Sequence, residues 1–271
     1  MEVPKEILMK NIKTINLSPK VICLGEALID RLGPLGGDPA TEKPIEDCFG
    51  GAPANVACAL ARLGVPVAFL GCLGKDKFGK DFKDLMKYRG VNIDGVQYDL
   101  VRPTRIVLVK RDIHGERTFQ GFWGNEGVGF ADEMISINQV KNVWDSIAGS
   151  TIWLIIGSIP LASNVSSKAL FWIIKKASEC GLKIALDVNW RPTFMPKSWL
   201  QENAAPNQYA IKVISELFKV SSLLKLAKEE ANWFFNTDDP LMISQSMPHL
   251  PDVVITDGGN PIRWVIAGHS G

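Results

Sequence analysis

Residues 50–59, GGAPANVACA, place two glycines, a proline and an asparagine at the start of a run of small apolar residues. Gly50 and Gly51 have no side chains, so a ligand can approach their backbone closely. Pro53 fits the first turn of a helix, and backbone N–H groups at a helix start can bond ligand oxygens. The Asn55 side chain offers a donor and an acceptor nearby. The stretch predicts either a ligand site at a helix N-terminus or an ordinary tight turn before a buried helix.

The rest of the chain alternates between short apolar runs and segments typical of helices. The apolar runs lie at 21–25, 67–71, 152–156, 183–188, 223–226 and 252–256, and the helix candidates lie near 54–63, 78–89, 165–180, 208–219 and 228–235. Nearly continuous apolar runs are typical of strands buried on both faces of a parallel sheet. The alternation therefore predicts a three-layer α/β fold with a mostly parallel, doubly wound sheet.

Two segments break this alternation. Residues 31–48 are rich in glycine, proline and charge, and residues 101–123 have the pattern of a β-hairpin that turns near His114 and Gly115. Neither segment needs a place in the main sheet. Together they predict a small β flap.

Composition and charge argue against several classes of protein. The 271 residues include 30 basic and 29 acidic side chains, which leaves no electrostatic footprint for nucleic acid or an anionic membrane. The most apolar run, 151–162, is too short to span a bilayer. The first twenty residues resemble neither a signal peptide nor a transit peptide, which favours a cytoplasmic address and leaves a plastid address open. The five cysteines form no CxxC pair, which predicts reduced thiols without a zinc site or a disulfide framework.

The glycine-rich stretch closely resembles the first signature of the PfkB/ribokinase family of carbohydrate kinases. That signature combines a Gly-Gly pair, an asparagine, a small residue and two further glycines at set distances. The corresponding residues here are Gly50, Gly51, Asn55, Ala57, Gly64 and Gly74. No GxGxxG follows a strand at this point, so an NAD-linked Rossmann enzyme is a distant alternative.

Four other segments agree with this resemblance. VICLGEALIDRLG (21–33) looks like the family's first strand, DVNWRPTF (187–194) like the DxNxR element of its fructokinase branch, LLKLAKEEANWFF (223–235) like the block before its nucleotide site, and VVITDGG (253–259) like the strand that opens its ATP site. The resemblance implies a ribokinase-like fold over residues 20–271, C-terminally truncated, after an N-terminal extension of residues 1–19. The segments 31–48 and 101–123 would form its lid.

The resemblance also implies a reaction and roles for particular residues. Family members transfer the γ-phosphoryl group of ATP to a primary sugar hydroxyl, which depends mainly on positioning and charge stabilisation. Asp30 would hold sugar hydroxyls, with Gly50, Gly51 and Asn55 lining the same pocket. Alternatively, Asp30 only caps a turn.

On the phosphate side, the resemblance places Asn189 and Arg191 beside the transferring group and Thr256 and Gly258 in the ATP loop. Glu230 would help to position Mg²⁺ through water. The alternatives are a surface ion pair for Arg191 and a solvated helix residue for Glu230.

The chain departs from the family pattern at three places. Ala227 stands where the Asn-x-x-Glu motif has asparagine, and Pro261 stands where the nucleotide loop has glycine. The family's Asp-Thr-x-Gly-Ala-Gly-Asp segment, with the anion-hole glycines and the general-base aspartate, does not occur in these 271 residues. The sequence therefore predicts a carbohydrate kinase cut short, with no catalytic base of its own.

Two hypotheses of different classes follow. The first is a fructokinase-like enzyme that uses ATP and Mg²⁺, is impaired in this chain, and acts on a sugar that is expected to be fructose. The second is a non-catalytic sugar-binding or scaffolding relative that keeps the sugar pocket. By the same resemblance, a homodimer could form through the lid. No nucleic-acid or membrane partner is expected.

Overall fold

The structure is a computed structural model that describes residues 18–44, 46–124 and 127–271. The predicted extension at 1–19 lies outside the described residues except for its last two positions. The strands are β1 (Val21–Leu24), β2 (Leu28–Leu35), β3 (Glu46–Gly50), β4 (Val67–Gly74), β5 (Val96–Asp99), β6 (Ile106–Arg111), β7 (Arg117–Trp123), β8 (Trp153–Gly157), β9 (Lys183–Asp187), β10 (Leu223–Ala227), β11 (Asp252–Thr256), β12 (Arg263–Ile266) and β13 (His269–Ser270).

The helices are α1 (Ala52–Arg62), α2 (Lys77–Tyr88), α3 (Ile137–Ala148), α4 (Asn164–Glu179), α5 (Gln208–Phe218), α6 (Lys228–Phe235) and α7 (Pro240–Gln245). Their starts follow from local chemistry. The Asp76 side chain accepts the Gly79 N–H at the start of α2, and the Asn207 side chain accepts the Ala210 N–H at the start of α5.

The main sheet has nine strands in the order β13-β12-β11-β10-β9-β8-β1-β4-β5. Its pairs from β11 to β5 are parallel, and β12 and β13 add an antiparallel edge. All six predicted strands are present in this sheet. The five predicted helices are present as α1, α2, α4, α5 and α6. The α/β fold class, with its mostly parallel sheet, is confirmed.

Helices cover the two faces of the main sheet unequally. α3, α4, α5, α6 and α7 contribute to the larger core cluster on one face, whereas α1 and α2 pack with β1, β4 and β5 on the other. Within the described ranges, no helix covers β9, β10 and β11 on the α1 side. Accordingly, β10 and β11 alternate between buried and half-buried residues.

The second sheet has four strands in the order β3-β2-β6-β7. The predicted hairpin is its β6–β7 pair, and both segments proposed for the flap contribute strands to it. The interpretation of residues 21–33 as one strand was wrong. The chain turns at Gly25, whose φ of 152° breaks the strand, so β1 belongs to the main sheet and β2 to the small one.

Candidate functional site

Asp30 lies on the face of the small sheet against which Phe194, from outside that sheet, packs, and we call this the inner face. Leu28 and Leu32, its neighbours at two-residue spacing on β2, are buried with Val107 and Val109 of β6. Because side chains alternate along a strand, Asp30 shares that apolar face. Burial raises the pKa of its carboxyl group, and the positive charges of Arg117 and Arg191 oppose that rise. The carboxylate is thus held in a low-polarity setting beside two cations.

Gly50 and Gly51 are required here for different physical reasons. A Cβ on Gly50 would lie 2.5 Å from Oδ2 of Asp30, so the missing side chain is the space that the carboxylate occupies. Gly51 has a φ of 98°, and a Cβ there would lie 2.5 Å from the carbonyl oxygen of Glu26. The structure therefore brings Asp30 and Gly50 into contact, whereas Gly51 shapes the backbone before α1.

Helix α1 begins as the sequence predicted, with Pro53 buried in its first turn. Asn55 is exposed on this turn, and its backbone N–H donates to the Gly51 carbonyl at 2.9 Å. Among the described residues, its side chain has no hydrogen-bond partner. Its predicted contact with a ligand remains a prediction.

Glu26 is a buried acidic residue that the sequence analysis missed. It is 2% exposed and lies two residues after the end of β1. Its Oε1 accepts the Ala52 N–H at 3.1 Å, and its Oε2 has no hydrogen-bond partner among the described residues. Burial raises the pKa of this carboxyl group to about 7. The only signal in the sequence is a single acidic residue that follows an apolar strand and a glycine.

Glu26 lines a small pocket between α1 and the carboxyl ends of β8 and β9. Asn189, with a φ of 45°, and Asp187 line the same pocket. Lys225 Nζ and Asp187 Oδ1 form an ion pair at 3.1 Å, but the angles at these atoms do not allow a hydrogen bond. The predicted phosphate residue Asn189 thus shares a pocket with the N-terminal turn of α1.

Glu230 is buried and accepts two backbone hydrogen bonds. Its Oε1 accepts the Trp190 N–H at 2.6 Å, and its Oε2 accepts the Ala227 N–H at 2.7 Å. Burial raises the pKa of its carboxyl group, and these two N–H groups oppose the rise. Glu230 therefore joins the segment after β9 to the start of α6, and the backbone of Ala227 supplies one of the two bonds.

Arg191 is exposed, and its guanidinium carbon lies 5.9 Å from the centre of the Phe119 ring on β7. Its positive charge lowers the pKa of the Asp30 carboxyl group, so the structure brings Arg191 near Asp30 and the small sheet. Arg117, the first residue of β7, does the same and was not predicted.

The predicted nucleotide residues lie apart from this group. β10, β9 and β8 separate β11 from β1 in the sheet. Thr256, the last residue of β11, donates to the Leu226 carbonyl at 3.5 Å, and Gly258 is exposed with a φ of 55°. An ion pair of 3.0 Å between Lys228 and Asp257 holds the start of this loop against α6. The structure does not bring Thr256 and Gly258 together with Asp30.

A family model described as "pfkB family carbohydrate kinase" matches residues 18–271. The chain belongs to this family. A protein named probable fructokinase-6, chloroplastic, from Arabidopsis thaliana is 30% identical over 259 residues, which are 94% of this chain. The chain spans 63% of that relative's length.

Solved structures agree with this pfkB assignment. The fructokinase of Xylella fastidiosa with bound ATP has a TM-score of 0.74 at 28% identity, over 93% of this chain and 77% of that one. The fructokinase of Vibrio cholerae O395, in a form with fructose, ADP and calcium ion, has a TM-score of 0.74 at 26% identity, over 94% of this chain and 75% of that one.

The candidate site has no cluster of metal-binding side chains among the described residues. In residues 18–44, 46–124 and 127–271, no group of three or more His, Cys, Asp or Glu side chains could hold a metal ion. The Glu230 carboxylate accepts two backbone N–H groups. In the same part of the chain, no helix has the length and apolar character needed to cross a membrane.

Proposed function

We propose that this pfkB protein is a fructokinase-like sugar kinase by descent, with fructose as its sugar and ATP with Mg²⁺ as its phosphoryl donor. One observation carries the proposal: the Asp30 carboxylate occupies the space left by Gly50, on the inner face of the small sheet. A carboxylate fixed in this way can accept two hydroxyl hydrogen bonds. The relatives named above, which include a structure with fructose bound, support the choice of sugar.

This proposal gives separate roles to three further residues, Arg191, Asn189 and Glu230. Arg191 meets the transferring phosphate, since a guanidinium provides fixed donors to phosphate oxygens. Asn189 lies beside it at the mouth of the pocket. Glu230 holds the segment that carries both, and it contacts Mg²⁺ only through water.

The experiment is isothermal titration calorimetry with fructose on the wild type and on Asp30→Asn. We expect fructose affinity to fall by roughly 1.5–3 kcal/mol, the range for hydrogen bonds to a charged group, because an amide donates where a carboxylate accepts. Asp47→Asn is the matched control. Asp47 lies on the neighbouring strand and pairs with Arg31 at 2.7 Å, away from the inner face. Equal affinities for the wild type and Asp30→Asn would exclude the proposed role.

The second candidate is a sugar-binding relative without catalysis. The exposure of Gly258, beside which a Cβ would meet nothing within 4 Å, is the observation that favours it. Lid closure and dimerisation through the lid remain predictions. Exposed apolar side chains on the small sheet, such as Phe119 and Trp123, are compatible with both.

A further inference from the structure

Arg105 is a buried arginine that none of the roles above uses. It immediately precedes β6 and is 4% exposed. Its guanidinium donates to both carboxylate oxygens of Asp132, at 2.8 and 2.9 Å, and to Glu133 at 2.8 Å. This two-pronged bond to Asp132 fixes the plane of the guanidinium as well as its position.

Three aromatic rings surround the same guanidinium. Its central carbon lies 4.7 Å from the ring centre of Phe122, 4.4 Å from that of Phe130 and 4.7 Å from that of Phe194. Phe122 also makes edge contacts with the other two rings, at 5.3 and 5.0 Å between centres. The cation and the rings therefore form one packed unit, which we call the arginine box.

The arginine box joins segments that carry the candidate site. Phe122 lies on β7 of the small sheet, whereas Phe194 lies three residues after Arg191. The Arg105 carbonyl accepts the Ile29 N–H at 2.9 Å, directly before Asp30. One residue thus contacts the strand of Asp30 through its backbone and the segment of Arg191 through its side chain.

The residue before Arg105 is fixed to the main domain as well. The Thr104 N–H donates to Asp76 at 2.7 Å, and its hydroxyl donates to the same carboxylate at 3.0 Å. Asp76 also caps α2, which packs on the main sheet. The segment just before β6 is therefore held by three carboxylates from outside the small sheet, those of Asp76, Asp132 and Glu133.

An ion pair of this kind is a poor choice for stability alone. Two charges lose hydration on burial, and well-packed apolar side chains of similar volume often serve equally well. What an apolar side chain lacks is direction, whereas the planar guanidinium has fixed donors and fixed stacking faces. The box is therefore better explained by the geometry that it sets.

We infer that Arg105 is a positioning residue that fixes the strand of Asp30 relative to the segment of Arg191. Sugar and transferring phosphate would then meet in a single orientation. This role rests on the proposed sugar-kinase function, because it assigns Asp30 to the sugar and Arg191 to the phosphate.

The test uses two variants and a control. Phe194→Leu removes one wall of the box and keeps the Arg105–Asp132 pair, and Arg105→Lys keeps the charge but loses the planar fork. Trp172→Leu is the control, because Trp172 also makes a perpendicular contact, with Trp144 at 5.9 Å, and stacks with a cation, Lys141. It lies on α4, and its ring partner and its cation are both on α3.

The first readout is fructose affinity at a temperature where every variant is folded, with urea unfolding measured in parallel. We expect both box variants to weaken fructose binding by roughly 10- to 100-fold, the scale of losing one hydrogen bond to a charged group. Trp172→Leu should lose stability without losing affinity. Unchanged affinity in the box variants, beside a wild type that binds fructose, would overturn the inference.

The second readout is hydrogen exchange in the free chain, which does not depend on the ligand. In Arg105→Lys, peptides covering 28–32 and 188–195 should exchange roughly tenfold faster, while α4 stays unchanged. A uniform increase, or no increase in those peptides, would contradict the positioning role. A wild type that binds no fructose would refute the proposed function instead, and the exchange result would still decide whether Arg105 couples the two segments.

Discussion

The proposed sugar half of the site, around Asp30, and the proposed nucleotide half, around Gly258, differ in how tightly their residues are held. On the sugar side, the carboxylate of Asp30 fills the space beside Gly50 and lies on an apolar, buried face. On the nucleotide side, a Cβ on Gly258 would meet nothing within 4 Å, and the glycine is exposed. Close contacts among the described residues therefore define the sugar geometry, whereas they leave the nucleotide loop open.

The main sheet shows the same contrast. α1 and α2 pack over β1 and β4, next to the sugar half, and their core cluster contains Phe69 and Phe82, which are at most 1% exposed. On the same side of the sheet, Lys225 of β10 and Val254 of β11 stay half-buried. In the part of the chain that the structure describes, the nucleotide half thus has less support from packing. The following predictions either break or sharpen this contrast.

The largest expected effect concerns phosphoryl transfer. The 271-residue chain should bind fructose but transfer phosphate poorly, while a version extended by a family-type C-terminal segment should be active. Loss of a general base costs roughly 10²–10⁴ in rate, and loss of an anion-hole donor adds about 3–4 kcal/mol to the barrier. The measurement is a coupled ADP-release assay with fructose, ATP and Mg²⁺ on both proteins.

Calorimetry with fructose on the same two proteins is the control, and we expect similar affinities because the sugar residues are common to both. Turnover by the 271-residue chain near the usual kinase range of about 1–100 s⁻¹ would contradict the prediction. The two halves would then be equally competent despite their different packing.

The next effect compares the two buried glutamates. Burial raises the pKa of Glu26 to about 7 in the folded chain from its ordinary value of 4.5, so the native state binds more protons than the unfolded state between these pH values. Stability should therefore fall as the pH rises from 4.5 to 7, by an amount on the order of 3 kcal/mol. Glu26→Gln should remove this part of the pH dependence and be more stable than the wild type at pH 8.

Urea unfolding at pH 5 and pH 8 measures the effect, and Glu230→Gln is the matched control. The pKa of Glu230 is also raised by burial, but both its oxygens accept backbone N–H groups, from Trp190 and Ala227. An amide can accept only one of these bonds, so this variant should lose stability at both pH values. If the unfolding free energy of Glu26→Gln changed between pH 5 and pH 8 as much as that of the wild type, the pH dependence would not come from Glu26.

Much of the fold follows from patterns that are local in sequence. Apolar runs and Pro53 predicted strands and a helix start that the structure confirms. Helix α3 was missed although Val140, Trp144 and Ile147 recur at helical spacing and are all buried. The split of residues 21–33 between two sheets could not be predicted, because it depends on pairing of β2 with β6, far along the chain.

The residues of the candidate site also fall into those that a sequence pattern indicates and those that only tertiary contacts reveal. Gly50 was singled out by a motif with fixed spacing, and Asp30 by the resemblance of residues 21–33 to the family's first strand. Glu26 and Arg105 could not be predicted, because each is a single charged residue whose partners are supplied by tertiary contacts. Asp132 lies 27 residues from Arg105, and Ala52 lies 26 residues from Glu26. Side chains held by such distant contacts leave no periodic signal in a single sequence.

The smallest effects come from one substitution made in each half. Gly50→Ala should keep the fold, because the atom that its Cβ would approach most closely belongs to a side chain, Asp30 Oδ2. That carboxylate must turn away, so fructose affinity should fall about tenfold, near the lower end of the loss expected for Asp30→Asn. Gly258→Ala meets no atoms, and its positive φ should cost only about 1 kcal/mol of stability with no change in fructose affinity. Calorimetry and urea unfolding on both variants test the contrast. Equal losses of affinity would mean that the nucleotide loop is coupled to the sugar pocket, and tight packing would then no longer distinguish the two halves.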